Sequence, residues 1–584
     1  MTTNTANARK GGGKTGTNFG APEALMDLLG VAEDPAASLD PVSFGRSLMR
    51  VGPALLAHPI AVASAQYRLA VGSAAALNAT AARMVGRPAP TPVAPRPDDR
   101  RFADPAFSDN PLYFWILQQY LLGNQLIIEL LDAAELPPED DAKARFAASL
   151  MVDALAPTNT LLGNPAALRL AVETRGVSLL KGLRNFLDDL RNNGGWPSQV
   201  SSKGMVVGEN MAATPGSVVY RSDMIELIQY APQTDTVHEV PLLFCPPWIN
   251  KFYIMDLAPG RSLIEWAVQH GHTVFAISYR NPDESMKDTS FEDYLLNGPL
   301  DAVRVVREIT GADSVNTVSV CLGGTLTAIA LAHLAGQGER PINSATFINT
   351  HTDFTTPGKL GTFTDEKTIA GLEKRMAKRG YLESTEMSRT FDLLRANDLV
   401  FQYVVNNWLM GKEPPTFDLL TWNSDGTRMP ARMHSEYLRS CYLRNEFARG
   451  EFVVDGRRVD PRQVDIDTYV LSAVDDHIVP WESGYKTTQL LGGDSRFVLS
   501  TSGHIAGIVN PPHPKSKHWT NEDLPADPQA WKAAATLHDE TWWEDWARWI
   551  SSRAGAMVAP PESAGSAEYP PLGAAPGTYV HGRA

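Results

Sequence analysis

Three kinds of side chain that can together perform nucleophilic catalysis, a cysteine, an aspartate and a histidine, occur in one order, each beside a short apolar run. Cys321 lies in VSVCLGGT, Asp475 and Asp476 in TYVLSAVDDHIVPW, and His504 in RFVLSTSGHIAG. A nucleophile lifted above a sheet needs a sharp strand-to-helix turn, with small residues two positions before and after it. Ser319 and Gly323 occupy those positions, and Gly324 adds room for the helix to pack closely. The helix that begins after Cys321 supplies oriented N–H groups, which favour negative charge on a thiol and on a reacting oxygen. Taken alone, Cys321 also fits a small buried core residue. The order nucleophile, acid, histidine favours a catalytic triad of Cys321, Asp476 and His504. Asp475 is the alternative acid, and His477 the alternative base or a structural neighbour. Cys245 and Cys441 read as core and structural residues.

The thiol narrows the chemistry. Cysteine is both a good nucleophile and a good leaving group near neutral pH. Attack on an acyl-CoA thioester makes another thioester, so the acyl group stays activated until an alcohol collects it. A serine would have formed the stable oxoester at once. Acyl transfer from CoA to a hydroxyl is therefore expected over simple hydrolysis. The developing oxyanion needs two donors. Leu322 N–H is the first. The loop CPPWINKFYIMDL offers the backbone of Ile249 or Asn250, with the Asn250 side chain a further candidate.

These residues need a scaffold. From about residue 205, short β-branched runs alternate with helical spacing: ELIQYAP, VPLLFCPPW, TVFAISYRNP, VNTVSV, SATFIN, TYVLSAV and RFVLST read as strands. Such alternation predicts an α/β fold, a mostly parallel sheet with helices on both faces. The long, mostly helical insertion at about 351–464 reads as a cap or lid over the active face. Upstream, 21–204 read as a mostly helical N-terminal domain with a Pro-rich linker at about 88–98. Residues 1–20 and the Pro/Gly-rich 556–584 read as disordered tails, and 205–555 as the catalytic domain. Trp542, Trp546 and Trp549 share a helical face expected to dock on the sheet.

Composition sets limits. The 584 residues carry a formal net charge of −14, without a Lys/Arg-rich block, which argues against nucleic acid as a partner. Three distant cysteines suit a reducing compartment. No Cys/His cluster has zinc-site spacing, so no metal is expected. The N-terminus lacks the apolar core of a secretory signal, and GGGKT has no strand before it, as a phosphate loop would require. The apolar stretch 51–88, broken by His58, Gln66, Arg68 and Asn78, reads as too polar to span a bilayer. A soluble cytoplasmic protein is expected.

Several segments together resemble the polyhydroxyalkanoate synthases, the long single-subunit type: PPWINKFYIMDL, SYRNPD, VCLGGT, FDLLTWNSDGTRMP, DDHIVPW and SGHIAGIVNPP. The resemblance runs from about DDRRFADPAF to WWEDWARWI. The family pattern G-x-C-x-G becomes Ser-Val-Cys-Leu-Gly here, a departure that touches backbone fit and leaves the thiol in place. The resemblance implies an α/β-hydrolase core with a cap and a helical N-terminal domain. It implies Cys321 as nucleophile, His504 as its base, and Asp476 either orienting His504 or deprotonating the incoming 3-hydroxyl. It places Trp422 near the acyl channel, where simple cap packing is the alternative. It implies an (R)-3-hydroxyacyl-CoA substrate, with 3-hydroxybutyryl-CoA favoured, and no cofactor beyond that thioester. The partners it implies are a growing polyester, a granule surface, granule-associated proteins and a second copy of the chain.

Overall fold

The computed structural model describes residues 41–583; the tail expected at 1–20 lies outside them. Its centre is an eleven-stranded sheet. In chain order the strands are β1 (Gly216–Arg221), β2 (Ile225–Tyr230), β3 (Leu242–Cys245), β4 (Val274–Tyr279), β5 (Val315–Val320), β6 (Ile342–Ile348), β7 (Asp467–Ala473), β8 (Ser495–Ser500), β9 (His518–Thr520), β10 (Thr536–His538) and β11 (Gly573–Ala574). Across the sheet the order is β10-β9-β8-β7-β6-β5-β3-β4-β2-β1-β11. The six strands from β8 to β4 run parallel, and the outer strands are antiparallel. β3, β5 and β7 are buried on both faces, apart from the first residue of β7, as parallel strands between helical layers must be. The register puts Val320 beside Ile348 and Ala473 beside Ser500, so the strands that precede the three candidate residues end together.

Helix α1 (Pro59–Met84) packs along α2 (Pro111–Ala133). A side chain at Gly72 would stand 2.5 Å from Leu122, so glycine permits that approach. By length and composition alone α1 is apolar enough to cross a membrane, and little of its most apolar stretch is buried. Between α1 and α2 the Pro-rich linker is pinned by the buried Gln118, whose side chain accepts from Val93 N–H and donates to Val93 O. The N-terminal helices grip the cap. Lys143, 2% exposed, pairs with Asp365 at 2.6 Å. Arg101 and Asp153 both bond Asn397. On α3 (Val177–Asn192), Asp189 accepts from the Trp408 indole at 2.7 Å.

Helix α4 (Leu322–Gln337) follows β5 and is buried along nearly its whole length. The cap lies between β6 and β7. It contains α5 (Ala431–Tyr437) and three π-helical segments, 397–401, 404–409 and 438–443. Helix α6 (Trp542–Ser551) docks on the sheet through Trp542, Trp546 and Trp549, with Trp543 buried as well.

The segment after residue 556, expected to be disordered, instead joins the fold. Met557–Val558 pair with Val237–His238, and β11 pairs with β1. The fully buried Glu226 of β2 accepts from Thr578 N, Tyr579 N and the Thr578 hydroxyl at 2.7–2.9 Å. The cause is a buried carboxylate that needs donors, which a Pro/Gly-rich composition does not reveal. Ending the chain after Pro560 leaves Glu226 with Arg221 alone. That truncation should destabilise the protein by about 2–4 kcal/mol, read as a clear fall in thermal midpoint; an unchanged midpoint would refute this account of the tail.

Candidate active site

Cys321 occupies a strained turn. Its φ of 50° and ψ of −119° place a side-chain-bearing residue at positive φ, which persists only where its surroundings enforce it. They do so through close packing. A Cβ at Gly323 would stand 2.2 Å from Cys245 O and 2.6 Å from Pro246 O, and one at Gly324 would stand 2.1 Å from Thr350 Oγ1. Both positions must be glycine for α4 to lie against β3 and the end of β6. Cys321 N–H donates to Ile348 O at 2.9 Å, and Cys321 O accepts from Gly324 N and Thr325 N. Ser319, where the family pattern has glycine, donates to Thr327 Oγ1 at 2.9 Å, and Thr327 donates to Gly323 O at 2.8 Å. The extra hydroxyl thus ties the strand to the helix.

The acid is decided by burial and partners. Asp475 is exposed, whereas Asp476 is buried. Asp476 Oδ1 accepts from Ile478 N and Val479 N, both at 2.8 Å, which aims Oδ2 at His504 Nδ1, 2.6 Å away. With Nδ1 so held, Nε2 is the nitrogen left to act on Cys321, which lies close enough to influence the proton affinity of His504. The His504 loop is fixed from two sides. Asn349 donates to His504 O, and the Trp542 and Trp543 indoles donate to Gly507 O and Ile508 O. Burial opposes charge on His504, but the charges of Asp476 and Cys321 outweigh it and raise its proton affinity to about 10. His477 is pushed the other way, to about 4, by burial and then by the charge on His504. It stays neutral near neutral pH, and its Nδ1 is buried without a partner. Cys245 and Cys441 are fully enclosed, and burial pushes both thiols up, Cys245 to about 12.

Leu322 and Gly323 carry the first-turn amides of α4, which lack intrahelical acceptors and can receive an oxyanion. The loop after β3 is stitched to the cap: Thr427 donates to Trp248 O and Ile249 O, and the Asn250 side chain donates to Asn423 O at 3.2 Å. That bond engages one of the two N–H groups of the Asn250 amide. Trp422 is 2% exposed, and its indole donates to Lys251 O at 2.7 Å. It packs in the apolar cluster that Cys321 touches, which is the cap-packing arrangement.

Sequence reasoning missed the aromatic cover. Tyr437 ends α5 where the chain becomes π-helical, and Tyr442 follows one such turn later. Both phenols lie close enough to Cys321 to feel its charge. Their rings meet at 5.6 Å, and Phe354 approaches Tyr442 at 4.8 Å. A π turn at a functional site is a recurrent feature. The i→i+5 spacing that brings these rings together has no residue pattern to betray it.

A thiol near an imidazole, which a buried carboxylate orients, at the start of a helix with free amides, has the parts that acyl transfer requires. Residues 98–267 match the family described as the poly-beta-hydroxybutyrate polymerase (PhaC) N-terminus, and 241–511 match the alpha/beta hydrolase fold. The chain is 42% identical over 492 residues to poly(3-hydroxyalkanoate) polymerase 1 of Ectopseudomonas oleovorans, covering 84% of this chain and 88% of that one. It is 44% identical over 493 residues to the poly(3-hydroxyalkanoate) polymerase subunit PhaC of Cupriavidus necator, covering 83% of each. It is 38% identical over 588 residues to the same subunit of Rhizobium meliloti, covering 100% of this chain and 95% of that one.

The raised proton affinity of His504 has a sign. It stabilises the fold fully below the ordinary histidine pKa of about 6.5, and the contribution is lost as pH rises through about 10. Asp476→Asn removes the main charge responsible. The gap in melting temperature between wild type and this variant should be widest near pH ~6 and narrow toward pH ~10. A gap independent of pH would contradict the pairing.

Proposed function

Because the chain belongs to the poly(3-hydroxyalkanoate) polymerase family, we propose that it polymerises (R)-3-hydroxyacyl-CoA into polyester through an acyl-cysteine at Cys321. The observation that carries the proposal is a thiol on a strained turn close to His504, whose Nδ1 is held by Asp476 at 2.6 Å. His504 Nε2 takes the thiol proton, and the thiolate attacks the thioester carbonyl. The oxyanion rests on Leu322 N–H and a backbone amide of the Ile249–Asn250 loop. The intermediate collapses, CoA leaves as its thiol with the proton from His504, and the acyl group sits on sulfur. A 3-hydroxyl from a second unit or the growing chain then gives its proton to His504 and attacks, forming the oxoester and freeing Cys321. Asp476 keeps Nδ1 protonated and steadies the imidazolium in both halves. Its carboxylate is occupied by two backbone amides and the imidazole, which favours orienting His504 over acting on the hydroxyl.

The rings of Tyr437 and Tyr442, backed by Phe354, belong to the apolar cluster that Cys321 packs against and favour a short side chain, such as that of 3-hydroxybutyryl-CoA. An insoluble product brings the enzyme to a granule surface. Exposed Leu180, Leu183, Leu187 and Leu190 on α3 suit apolar contact there or with a second copy.

Purified protein given 3-hydroxybutyryl-CoA should release CoA and form polymer together, more slowly with longer homologues. Cys321→Ala should lower both by about four orders of magnitude or more. CoA release with free hydroxy acid and no polymer would make the protein a thioesterase; unchanged rates in Cys321→Ala would refute the acyl-cysteine.

A further inference from the structure

A second cluster of chemically capable side chains lies at the far edge of the sheet. β9 and β10 are antiparallel with His518 directly opposite His538. Opposed residues point to one face, and a period of two puts Glu540, just past β10, on the side of His538. The imidazoles stack with centroids 4.9 Å apart and planes 16° apart. One ligating atom from each of His518, His538 and Glu540 lies within 4.8 Å of the other two.

His518 is fully buried. Its Nδ1 lies 3.0 Å from Glu540 O, an acceptor, so Nδ1 carries the hydrogen. Nε2 is then a bare lone pair, buried and without a partner. A buried acceptor left unpaired is costly and calls for an explanation. An imidazole held through one nitrogen by a backbone carbonyl, with the other nitrogen free, is the form in which histidine ligates metals. His538 is steadied in turn by Thr520 Oγ1, 2.8 Å from its Nε2.

We propose that His518, His538 and Glu540 form a binding site for a divalent transition-metal ion of zinc type, with water as the fourth ligand. Two imidazoles and one carboxylate match zinc's preferences and leave one position open. Bonds of about 2.0–2.2 Å in tetrahedral geometry need ligand atoms about 3.3–3.5 Å apart, so small side-chain rotations close the cluster. Glu540 now pairs with Arg548 at 2.6 Å; Arg548 also faces Asp545 at 3.7 Å and keeps that partner when the carboxylate turns to a metal. β9 pairs with β8, with His518 opposite Ser500, four residues before His504. The ion would staple the outer hairpin to the strand that carries the His504 loop.

The test uses the full chain carrying Cys321→Ala, stripped with chelator, so that the active-site thiol binds no metal. Calorimetric titration with zinc chloride alone should give one equivalent at micromolar affinity or tighter, magnesium should give none, and zinc should raise the melting temperature. Cobalt should give the visible absorption of a tetrahedral site. His538→Ala and Glu540→Gln, at partly exposed positions, should melt like the parent without metal, bind zinc at least about tenfold more weakly and lose the cobalt band. No saturable zinc binding by the parent, or parental affinity in both variants, would overturn the site.

Discussion

The approach of α4 to the strands beneath it is the constraint on which the active centre depends. Gly323 lies against the carbonyls of Cys245 and Pro246, and Gly324 against Thr350, so the helix sits nearer the sheet than any side chain would allow. The chain must turn within one residue to enter that helix, and Cys321 takes the positive φ that results. The same turn presents the thiol at the helix N-terminus, where unpaired amides favour negative charge. The strained turn and the thiol's place beside unpaired helix amides therefore share one packing cause.

The rest of the centre is held from outside. Asp476 is aimed by two backbone amides, and His504 by Asp476, Asn349 and the tryptophans of α6. The cap closes over the thiol through Tyr437 and Tyr442, and its other face is gripped by the N-terminal helices through Lys143, Arg101, Asp153 and Asp189. The loop after β3 is stitched to the same cap at Thr427 and Asn423. A continuous set of contacts thus runs from the helical N-terminal region through the cap to the aromatic cover and to the loop after β3.

What the sequence determined by itself is local. Strands β2–β8 stand out as short runs rich in β-branched and apolar residues because strands packed between helical layers favour them, even where a buried polar residue such as Glu226 or Asn316 interrupts the run. Cys321, Asp476 and His504 were legible because each follows such a run, and strand ends are where a parallel sheet exposes chemistry. Only the tertiary structure decided the rest, because those features rest on contacts between distant segments. Asp476 prevailed over Asp475 through burial, the Asn250 amide was bonded to the cap, and Trp422 was packed against Lys251. The Pro/Gly-rich C-terminal segment was drawn in by the buried Glu226. His518 and His538, twenty positions apart, became neighbours because two edge strands pair in one register, and spacing along a chain carries no record of register.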